Sequence, residues 1–541
     1  MTSRLPVPTA LRRQWGRVPA AMRLPVAVYA SCQAIYLLWW AAFFPGLMSY
    51  DSITYTWEVT TNHWIDDHSI LYDSLLWLSL QTTGDVWLLT LLQTVAVSAV
   101  LAYTCVALRD LGVRGRWSAL AALCVAALPS TGTLTEYVWK DAAFGISALL
   151  AFAALAKLVA RRLKGRERVR DRSFYVNLGL LELGFIGIAL FRNSSVDAVI
   201  AAVPLLILGL RSMRLWITTL VAGTTVLYLA LNFLVYPAVG ITMPTVDNYY
   251  AMNYADIAVA YGEYPSSFTK ADKAVMEKVA PLKSWGGRAA NCWDVDWTMA
   301  ELNRPEAAAL NDQLMKIWFE VLKRSPQIVA QAHLCRSQIA WGIFPGPAAM
   351  QANTQIAWPA IAPELFGQAA PGNRMAHSKY RSVLHTRPLS DTLHKIGYWL
   401  YLLSMAPQTQ WLLWRGAFWC YTTYGVVLAI ARRRRKAGVP LLALAGMTFG
   451  LQLAVIAANP AALARYMLPS MVIGIMTVPL ISLLRKPAAP LLPVPWETVA
   501  EPSLPAPAGP RPASQAGPKP EPQAEPVREP RQAEPEPAET S

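Results

Sequence analysis

The chain has 541 residues, of which 54% are hydrophobic and only 15% are charged, and its net charge at pH 7 is +14. A soluble globular protein carries about 25% charged residues, so the composition argues against a set of soluble domains. The 21 Trp and 40 Pro residues also exclude a collagen, a coiled coil and a chain that is disordered throughout. The composition favours an all-α polytopic membrane protein.

Apolar stretches predict about ten transmembrane helices, because about 20 apolar residues are needed to cross the hydrocarbon core of a bilayer. In chain order the stretches cover 25–47, 86–108, 117–134, 142–159, 174–191, 196–210, 215–235, 411–431, 439–459 and 467–484. The stretch at 196–210 is short, which indicates a tilted, extended or partly re-entrant segment.

Basic residues between these stretches predict the orientation. Lys and Arg cluster before the first stretch and in every second loop after it, as at Arg161, Arg162 and Lys164. Such loops remain cytoplasmic, so we expect a multi-pass protein of the cell membrane with both termini in the cytoplasm. This rule accounts for much of the positive charge without a nucleic-acid partner. The first stretch is too long for a secretory signal peptide and lacks a convincing cleavage site.

The same topology divides the chain into five parts. They are a cytoplasmic N-terminus (1–24), a transmembrane core with outward catalytic loops (25–235), a mostly helical extracytoplasmic domain (236–410), C-terminal transmembrane helices (411–484) and a cytoplasmic tail (485–541). The tail is rich in Pro, Ala and Glu and has almost no apolar run, so we expect it to be disordered. An inert tail and a docking segment for a cytoplasmic partner are both open.

The six cysteines divide by location. Cys292 and Cys335 both lie in the predicted extracytoplasmic domain, where disulfides persist, so we expect them to pair. The alternative is two free buried thiols. The other four cysteines lie in predicted spans and are interpreted as packing residues.

Polar residues gather at the outward ends of the predicted spans, each at a different helix end. They are Asp51, His68, Lys140, Asp141, Arg192, Asn193, Arg465 and Tyr466. Lys and Arg bind phosphate oxygens, a carboxylate can deprotonate an acceptor hydroxyl, and fixed cations stabilise a phosphate leaving group. The alternative is that these side chains reach to water or form ordinary pairs at the interface.

A divalent cation is possible at this face, since Asp51, Asp141 and His68 together offer oxygen and nitrogen ligands. Their spacing does not specify a site, so no metal ligand is assigned and the cofactor stays unknown. Glu182 lies midway along the stretch 174–191. A charge in the middle of a span is costly, so Glu182 is either a functional residue or a protonated, hydrogen-bonded structural one.

These motifs resemble those of the GT-C superfamily of polytopic membrane glycosyltransferases, in particular a bacterial, actinobacterial-type branch. Asp51 in GLMSYDS matches the acidic residue of the first outward loop, although His68 is followed by Ser69 where family members have Pro. Trp139-Lys140-Asp141 is similar to the second-loop motif of that branch. Arg192-Asn193 resembles an RN-type motif whose Asn-Gly continuation is absent here, and RYMLP at 465–469 resembles an RYxLP run. The resemblance covers residues 25–484.

The resemblance implies that a sugar is transferred from a polyprenyl-phosphate-linked donor to a cell-envelope acceptor at the outer membrane face. Asp51 would be the base or would orient the acceptor, and Asp141 would orient Lys140, bind the sugar or join a metal site. The implied substrate-binding residues are His68, Lys140, Arg192, Asn193, Arg465 and Tyr466. The donor and membrane lipids are the implied partners.

Two other functions are open. A membrane transporter or lipid flippase would depend on Glu182 within the bilayer rather than on Asp51. A noncatalytic scaffold for envelope assembly would depend on the tail from residue 486 onward.

Overall fold

The computed structural model describes residues 18–192, 195–344 and 372–485. These residues form helices with no β-strand, and their extended contacts are limited to isolated bridges. The prediction of an all-α chain is therefore confirmed for the described residues. The tail from residue 486 onward and the candidate residue Asn193 lie outside them.

The helices follow one another with short connections. The α-helices are Ala20–Ala42, Tyr50–Thr61, Ile70–Thr83, Trp87–Asp110, Gly115–Ala127, Pro129–Glu136, Lys140–Leu163, Arg172–Phe191, Val196–Gly209, Arg214–Ala230, Tyr236–Ala238, Val246–Tyr249, Ala251–Glu263, Lys270–Val279, Leu282–Gly286, Val295–Glu301, Arg304–Ala309, Asn311–Arg324, Pro326–Arg336, Gln338–Trp341, Asp391–Ser404, Pro407–Leu413, Gly416–Arg434, Ala443–Ala457 and Leu468–Thr477. A π-helix spans Leu231–Val235, and 3₁₀ helices span Arg211–Met213, Pro265–Ser267, Arg374–His377, Lys379–Leu384, Arg435–Leu442, Ala464–Met467 and Val478–Arg485.

Seven of the described helical segments are long and apolar enough to cross a membrane. They are Ala20–Ala42, Trp87–Asp110, Lys140–Leu163, Arg172–Phe191, Arg211–Ala238, Gly438–Ala457 and Ala464–Leu484. The pair Gly115–Ala127 and Pro129–Glu136 is bent by 61° and adds an eighth if it counts as one span. Pro129 accounts for the break, because proline has no N–H and restricts the residue before it.

The predicted stretches at 196–210 and 411–431 correspond to helices that are not both long and apolar enough to count as membrane spans. Val196–Gly209 has 14 residues, which is shorter than a bilayer requires. The helix in the second stretch begins only at Gly416 and ends on three arginines. The structure therefore supports several membrane-length helices, with fewer clear spans than the ten that hydropathy suggests.

Helix Lys140–Leu163 is the central element of the bundle, with 17 of its residues buried. Its Ala-rich surface lets neighbouring helices approach closely, as small residues do in membrane bundles. Gly184 of helix Arg172–Phe191 lies against it, and a Cβ atom there would come within 2.8 Å of the Ala151 backbone nitrogen. This close packing fixes the position of the helix start, where Lys140 and Asp141 lie.

A second hydrophobic core lies between residues 246 and 336, which we call the small domain. Tyr254, Trp285 and Leu314 are fully buried in it. Cys292 and Cys335 form a disulfide with a Cα–Cα distance of 5.7 Å. Leu384 and Tyr401, also within the predicted extracytoplasmic domain, instead belong to the core of the membrane helices.

The small domain contacts the segment that leads into the last membrane-length helix. The Val295 N–H donates to the Pro460 carbonyl at 3.1 Å, and the Ala462 N–H donates to the Trp293 carbonyl at 2.8 Å. These bonds hold residues 460–462 in place just before Arg465.

Candidate functional site

The candidate residues lie at one end of the helix bundle because each belongs to a helix end. Asp51 and Asp141 lie in the first turns of helices Tyr50–Thr61 and Lys140–Leu163, where a carboxylate interacts favourably with the helix dipole. Arg192 follows helix Arg172–Phe191 directly, and Arg465 lies in the short helix that precedes Leu468–Thr477. Segments far apart in the sequence thereby contribute to one cleft.

Backbone contacts hold Asp51 beside Lys140. The Val138 N–H donates to the Leu47 carbonyl at 3.0 Å, and the Ser52 hydroxyl donates to the Val138 carbonyl at 2.9 Å. The first bond joins the chain just before Asp51 to the chain just before Lys140. The relative position of the two side chains is therefore set by the fold, not by their own contact.

Asp51 forms an ion pair with Arg465. Arg465 Nη1 lies 2.5 Å from Asp51 Oδ2, and the two side chains are 12% and 19% exposed. Burial alone would raise the pKa of Asp51, but Arg465, Lys140 and His68 together hold this pKa well below its usual range. Asp51 is therefore a carboxylate at any physiological pH and, while it is paired, a weak base.

Asp141 lies between two arginines without a hydrogen bond to either. Its Oδ1 is 3.9 Å from Arg192 Nη1, and its Oδ2 is 4.0 Å from Arg465 Nε. All four of these atoms are buried and have no hydrogen-bond partner among the described residues. Buried polar atoms are normally paired, so this arrangement leaves hydrogen-bonding capacity for a polar ligand or water.

Lys140 connects Asp51 to the loop that carries His68. Lys140 Nζ lies 3.0 Å from Tyr55 Oη and 3.3 Å from His68 Nδ1, and the Tyr55 hydroxyl donates to Asp51 at 3.4 Å. Burial and the Lys140 ammonium lower the pKa of His68, so its ring is neutral at pH 7. Nδ1 therefore accepts a hydrogen bond from the Lys140 ammonium, and the ring proton lies on Nε2.

Aromatic rings line the cationic part of the cleft. The Arg192 guanidinium lies 4.0 Å from the centre of the Tyr466 ring, and the Arg465 guanidinium lies 4.7 Å from the centre of the Trp139 ring. The Trp139 indole N–H donates to the Ser49 hydroxyl, which fixes its orientation. Such cation–π contacts hold the guanidinium planes without occupying all their N–H donors.

Two further carboxyl groups lie beside the cleft, and neither is among the site residues predicted from the sequence. Glu58 and Asp73 are fully buried, and within the part of the chain that the structure describes none of their side-chain oxygens has a hydrogen-bond partner. Burial, together with the charges of Asp73 and Asp67, raises the pKa of Glu58 to about 10. Asp51, Tyr55 and Glu58 follow the i, i+4, i+7 spacing of one helix face, which is the signal that could have identified Tyr55 and Glu58.

Three side chains among the described residues have the spacing of a metal site. One ligand atom from each of Glu58, Asp67 and His68 lies within 4.8 Å of the others. The set considered from the sequence was Asp51, Asp141 and His68, of which only His68 belongs to this group. The arginines that surround Asp51 and Asp141 make those two carboxylates poor cation ligands.

Glu182 does not take part in the cleft. Its Oε1 accepts a hydrogen bond from the Thr224 hydroxyl at 3.3 Å, and its other oxygen has no partner. The structure thus places Glu182 between two membrane-length helices, Arg172–Phe191 and Arg211–Ala238.

Comparison with known proteins returns no match among protein-family models, curated proteins or solved structures. A functional assignment therefore depends on the chemistry of the cleft itself.

Proposed function

We propose that this chain is a GT-C-type integral membrane glycosyltransferase. It moves a sugar from a polyprenyl-phosphate-linked donor to a cell-envelope acceptor at the outer face of the cell membrane, with both termini in the cytoplasm. The observation that carries the proposal is the set of Arg192, Arg465 and Lys140 around Asp51 and Asp141 at one end of membrane-length helices. Three cations and two carboxylates suit an anionic lipid-linked donor, in which the bond between the sugar and the phosphate must break.

Arg192 and Arg465 are the groups that bind the donor phosphate. Each has a buried nitrogen that faces Asp141 across about 4 Å and makes no hydrogen bond. A guanidinium binds phosphate oxygens through parallel N–H bonds, and these bonds strengthen as charge develops on the leaving phosphate. Asp141 keeps the two arginines apart and oriented.

Asp51 is the base for the acceptor hydroxyl. Arg465 holds the pKa of Asp51 low against the effect of burial, which would raise it. A donor phosphate that shares Arg465 weakens this pair, so the carboxylate becomes a better base only when the donor is bound. Asp51 then takes the hydroxyl proton, the acceptor oxygen bonds to the anomeric carbon, and the carbon–phosphate oxygen bond breaks with its electron pair on the phosphate.

Lys140 supplies a third positive charge beside Asp51. Tyr55 and His68 hold its ammonium group at 3.0 and 3.3 Å, so a long flexible side chain has a defined position. Positioned charge of this kind contributes more than mobile charge, since no reorganisation is needed during the reaction.

An apolar groove supports a substrate with a long hydrocarbon chain. Its volume is about 780 Å³, and it runs along helix Gly115–Ala127. Trp117, Leu120, Trp419 and Ile475 line it, and Arg114 and Arg116 lie at one end. A polyprenyl chain is a suitable occupant of such a surface within a bilayer.

A transporter or lipid flippase is the second candidate, because Glu182 is half-buried inside a membrane-length helix with one oxygen unpartnered. Its hydrogen bond to Thr224 favours a structural role.

The test is sugar transfer by the purified protein in nanodiscs, with extracted polyprenyl-phosphate sugars and cell-envelope acceptors. We expect Asp51→Asn to lose transfer by about 10²–10⁴-fold, as removal of a general base does, while Glu182→Gln keeps it. Glu277→Gln, on the exposed surface of helix Lys270–Val279, is the control. Transfer that survives Asp51→Asn, with a cellular phenotype lost only in Glu182→Gln, would contradict the proposal and favour transport.

A further inference from the structure

Beside the cationic cleft lies a group of ligands that the proposed reaction does not use. Glu58, Asp67 and His68 each present one ligand atom within 4.8 Å of the other two. We propose that these three side chains bind a divalent cation that accepts mixed oxygen and imidazole ligands, with Mn²⁺ as its probe. The proposal concerns metal binding and does not depend on the sugar-transfer function.

The burial of Glu58 is the second observation that points to a ligand. Its side chain is 0% exposed, and neither carboxyl oxygen has a hydrogen-bond partner in residues 18–192, 195–344 and 372–485. Asp67 Oδ1 is likewise buried without a hydrogen bond. An unpaired polar group in the interior is costly, so native proteins normally pair it or use it to coordinate a metal.

The local structure brings these ligands together from two sides of one connection. Glu58 lies in the last turn of helix Tyr50–Thr61, and Asp67 and His68 lie just before helix Ile70–Thr83. Ser69 anchors this connection, because its hydroxyl accepts from the Tyr72 N–H at 3.1 Å and donates to the Leu190 carbonyl at 2.7 Å. The ligands therefore project from a tethered loop and a helix end.

The spacing is close to what a cation requires. Metal–ligand bonds of about 2.0–2.2 Å place opposite ligands at most about 4.4 Å apart. Ligand atoms within 4.8 Å of one another thus need only small side-chain rotations to close around an ion. Two carboxylates with one imidazole suit Mn²⁺ or Zn²⁺ better than a purely oxygen-seeking ion such as Ca²⁺.

A further carboxyl group lies beside these ligands. The buried carboxyl group of Asp73 lies close enough to influence Glu58 electrostatically, so it adds to the acidic character of this region. Lys140 is the nearby cation, but its Nζ contacts Tyr55 and His68 and makes no hydrogen bond to Glu58. A bound ion would give the oxygens of Glu58 and Asp67 the partner that Lys140 does not provide.

Lys140 and a bound cation compete for His68. A neutral imidazole has one lone pair in the ring plane, which His68 Nδ1 directs to Lys140 at 3.3 Å. Coordination through Nε2, which faces Asp67 at 3.8 Å, requires the ring proton to move to Nδ1. Nδ1 can then no longer accept from Lys140, so removal of Lys140 should strengthen cation binding.

The test is a Mn²⁺ titration of the full-length purified protein in nanodiscs, with free Mn²⁺ followed by its EPR signal. We expect one saturable site in the wild type and at least tenfold weaker binding in Glu58→Gln and in Asp67→Asn. Lys140→Met should bind Mn²⁺ more tightly, and Glu277→Gln should match the wild type. Glu58→Gln is nearly isosteric, and thermal unfolding of each variant checks that it is folded.

Three results would overturn the proposal. One is the absence of saturable Mn²⁺ binding to folded wild type. Another is binding that Glu58→Gln and Asp67→Asn leave unchanged. The third is weaker binding in Lys140→Met. Displacement of Mn²⁺ by equimolar Zn²⁺ but not by Ca²⁺ supports a ligand set that includes His68, whereas displacement by Ca²⁺ alone contradicts it.

Discussion

Asp51 and Glu58 lie on one helix, two turns apart, yet they experience opposite electrostatic environments. Asp51 meets Arg465 at 2.5 Å and has its pKa held well below the usual range. Glu58 has no hydrogen-bond partner, and its pKa is raised to about 10. Burial penalises both charges, so the difference comes from the cations that reach one carboxyl group and not the other.

The site has a cationic half, in which Arg192, Arg465 and Lys140 surround Asp51 and Asp141, and an acidic half, formed by Glu58 and Asp67. In the cationic half positive charge exceeds what the carboxylates need, which suits an anionic substrate. In the acidic half the carboxyl oxygens outnumber the hydrogen-bond donors that reach them, so this half is suited to bind a cation. His68, through its contacts with Lys140 and Asp67, lies between the halves.

The largest expected effect comes from removing the counter-ion of Asp51. We expect Arg465→Ala to lower the free energy of unfolding by about 3–5 kcal/mol, since it leaves a partly buried carboxylate without its partner. Denaturant unfolding followed by tryptophan fluorescence measures this change. Arg288→Ala is the control, because Arg288 is 62% exposed and lies 3.9 Å from Glu301. An equal effect of the two substitutions would show that the Asp51–Arg465 pair is an ordinary surface pair.

The pH dependence of the same pair has a defined sign. The pKa of Asp51 is lowered in the folded protein, so the stability that it contributes is present above its unfolded value, near 4. This contribution is lost as the pH falls below that value toward the folded pKa. In Arg465→Ala the contribution is absent, so the difference in unfolding free energy from the wild type should shrink in acid.

The next effect concerns the shape of the cationic half rather than its charge. Arg192→Lys keeps a positive charge but loses the planar set of donors that faces Asp141 and the stacking on Tyr466. We expect sugar transfer to fall about 10²-fold in kcat, as removal of one charge-stabilising donor does. Arg304→Lys, at the half-exposed pair with Asp247, is the matched control. Retained kcat with a raised KM would instead assign Arg192 to ground-state binding alone.

Much of the fold follows from local patterns in the sequence. Apolar stretches of membrane length predict most of the long helices, and loop charge gives their relative direction. Because Asp51, Lys140, Arg192 and Arg465 all occur at helix ends on the same side of that topology, their meeting at one end of the bundle can be predicted.

The pairing within the site cannot be read from the sequence. Arg465 and Asp51 are 414 positions apart, and their contact depends on how the small domain holds residues 460–462. Glu58 shares a helix face with Asp51 and Tyr55, but this spacing does not show that the face is buried. Glu58 is fully buried, with Asp67 and Asp73 close to it in space. Long-range packing, and not local propensity, decides which carboxyl group has a counter-ion.

The acidic half can be tested by its effect on stability. The pKa of Glu58 is raised to about 10, so the folded state binds a proton that the unfolded state releases above about pH 4.3. Stability is then fully present below that pH and falls as the pH rises toward 10. We expect Glu58→Gln to be more stable than the wild type by about 1–3 kcal/mol at pH 8 in EDTA, with no difference at pH 4. Thermal unfolding across this pH range measures it.

Bound metal should make the wild type more stable than Glu58→Gln, which is the reverse of the order expected in EDTA. With Mn²⁺ present, the wild type gains stability from binding and Glu58→Gln does not, because ligand binding to the folded state alone stabilises it. Glu277→Gln should follow the wild type under both conditions. If Glu58→Gln is destabilised in EDTA at pH 8, then the carboxylate is paired in the folded protein and the contrast with Asp51 is wrong.

The smallest effect separates the two halves through His68. His68→Gln keeps an acceptor for Lys140, since the amide oxygen can replace Nδ1, but it removes the imidazole ligand. Loss of one well-placed hydrogen bond is worth about 0.5–1.5 kcal/mol, so we expect transfer to fall by only about 2- to 10-fold. Mn²⁺ binding should fall more than transfer does. His68→Ala removes both the acceptor for Lys140 and the imidazole ligand. The difference in transfer between His68→Ala and His68→Gln therefore measures the contribution of the Lys140 contact. Transfer lost equally in both variants would place the imidazole itself in the reaction and join the two halves into one catalytic unit.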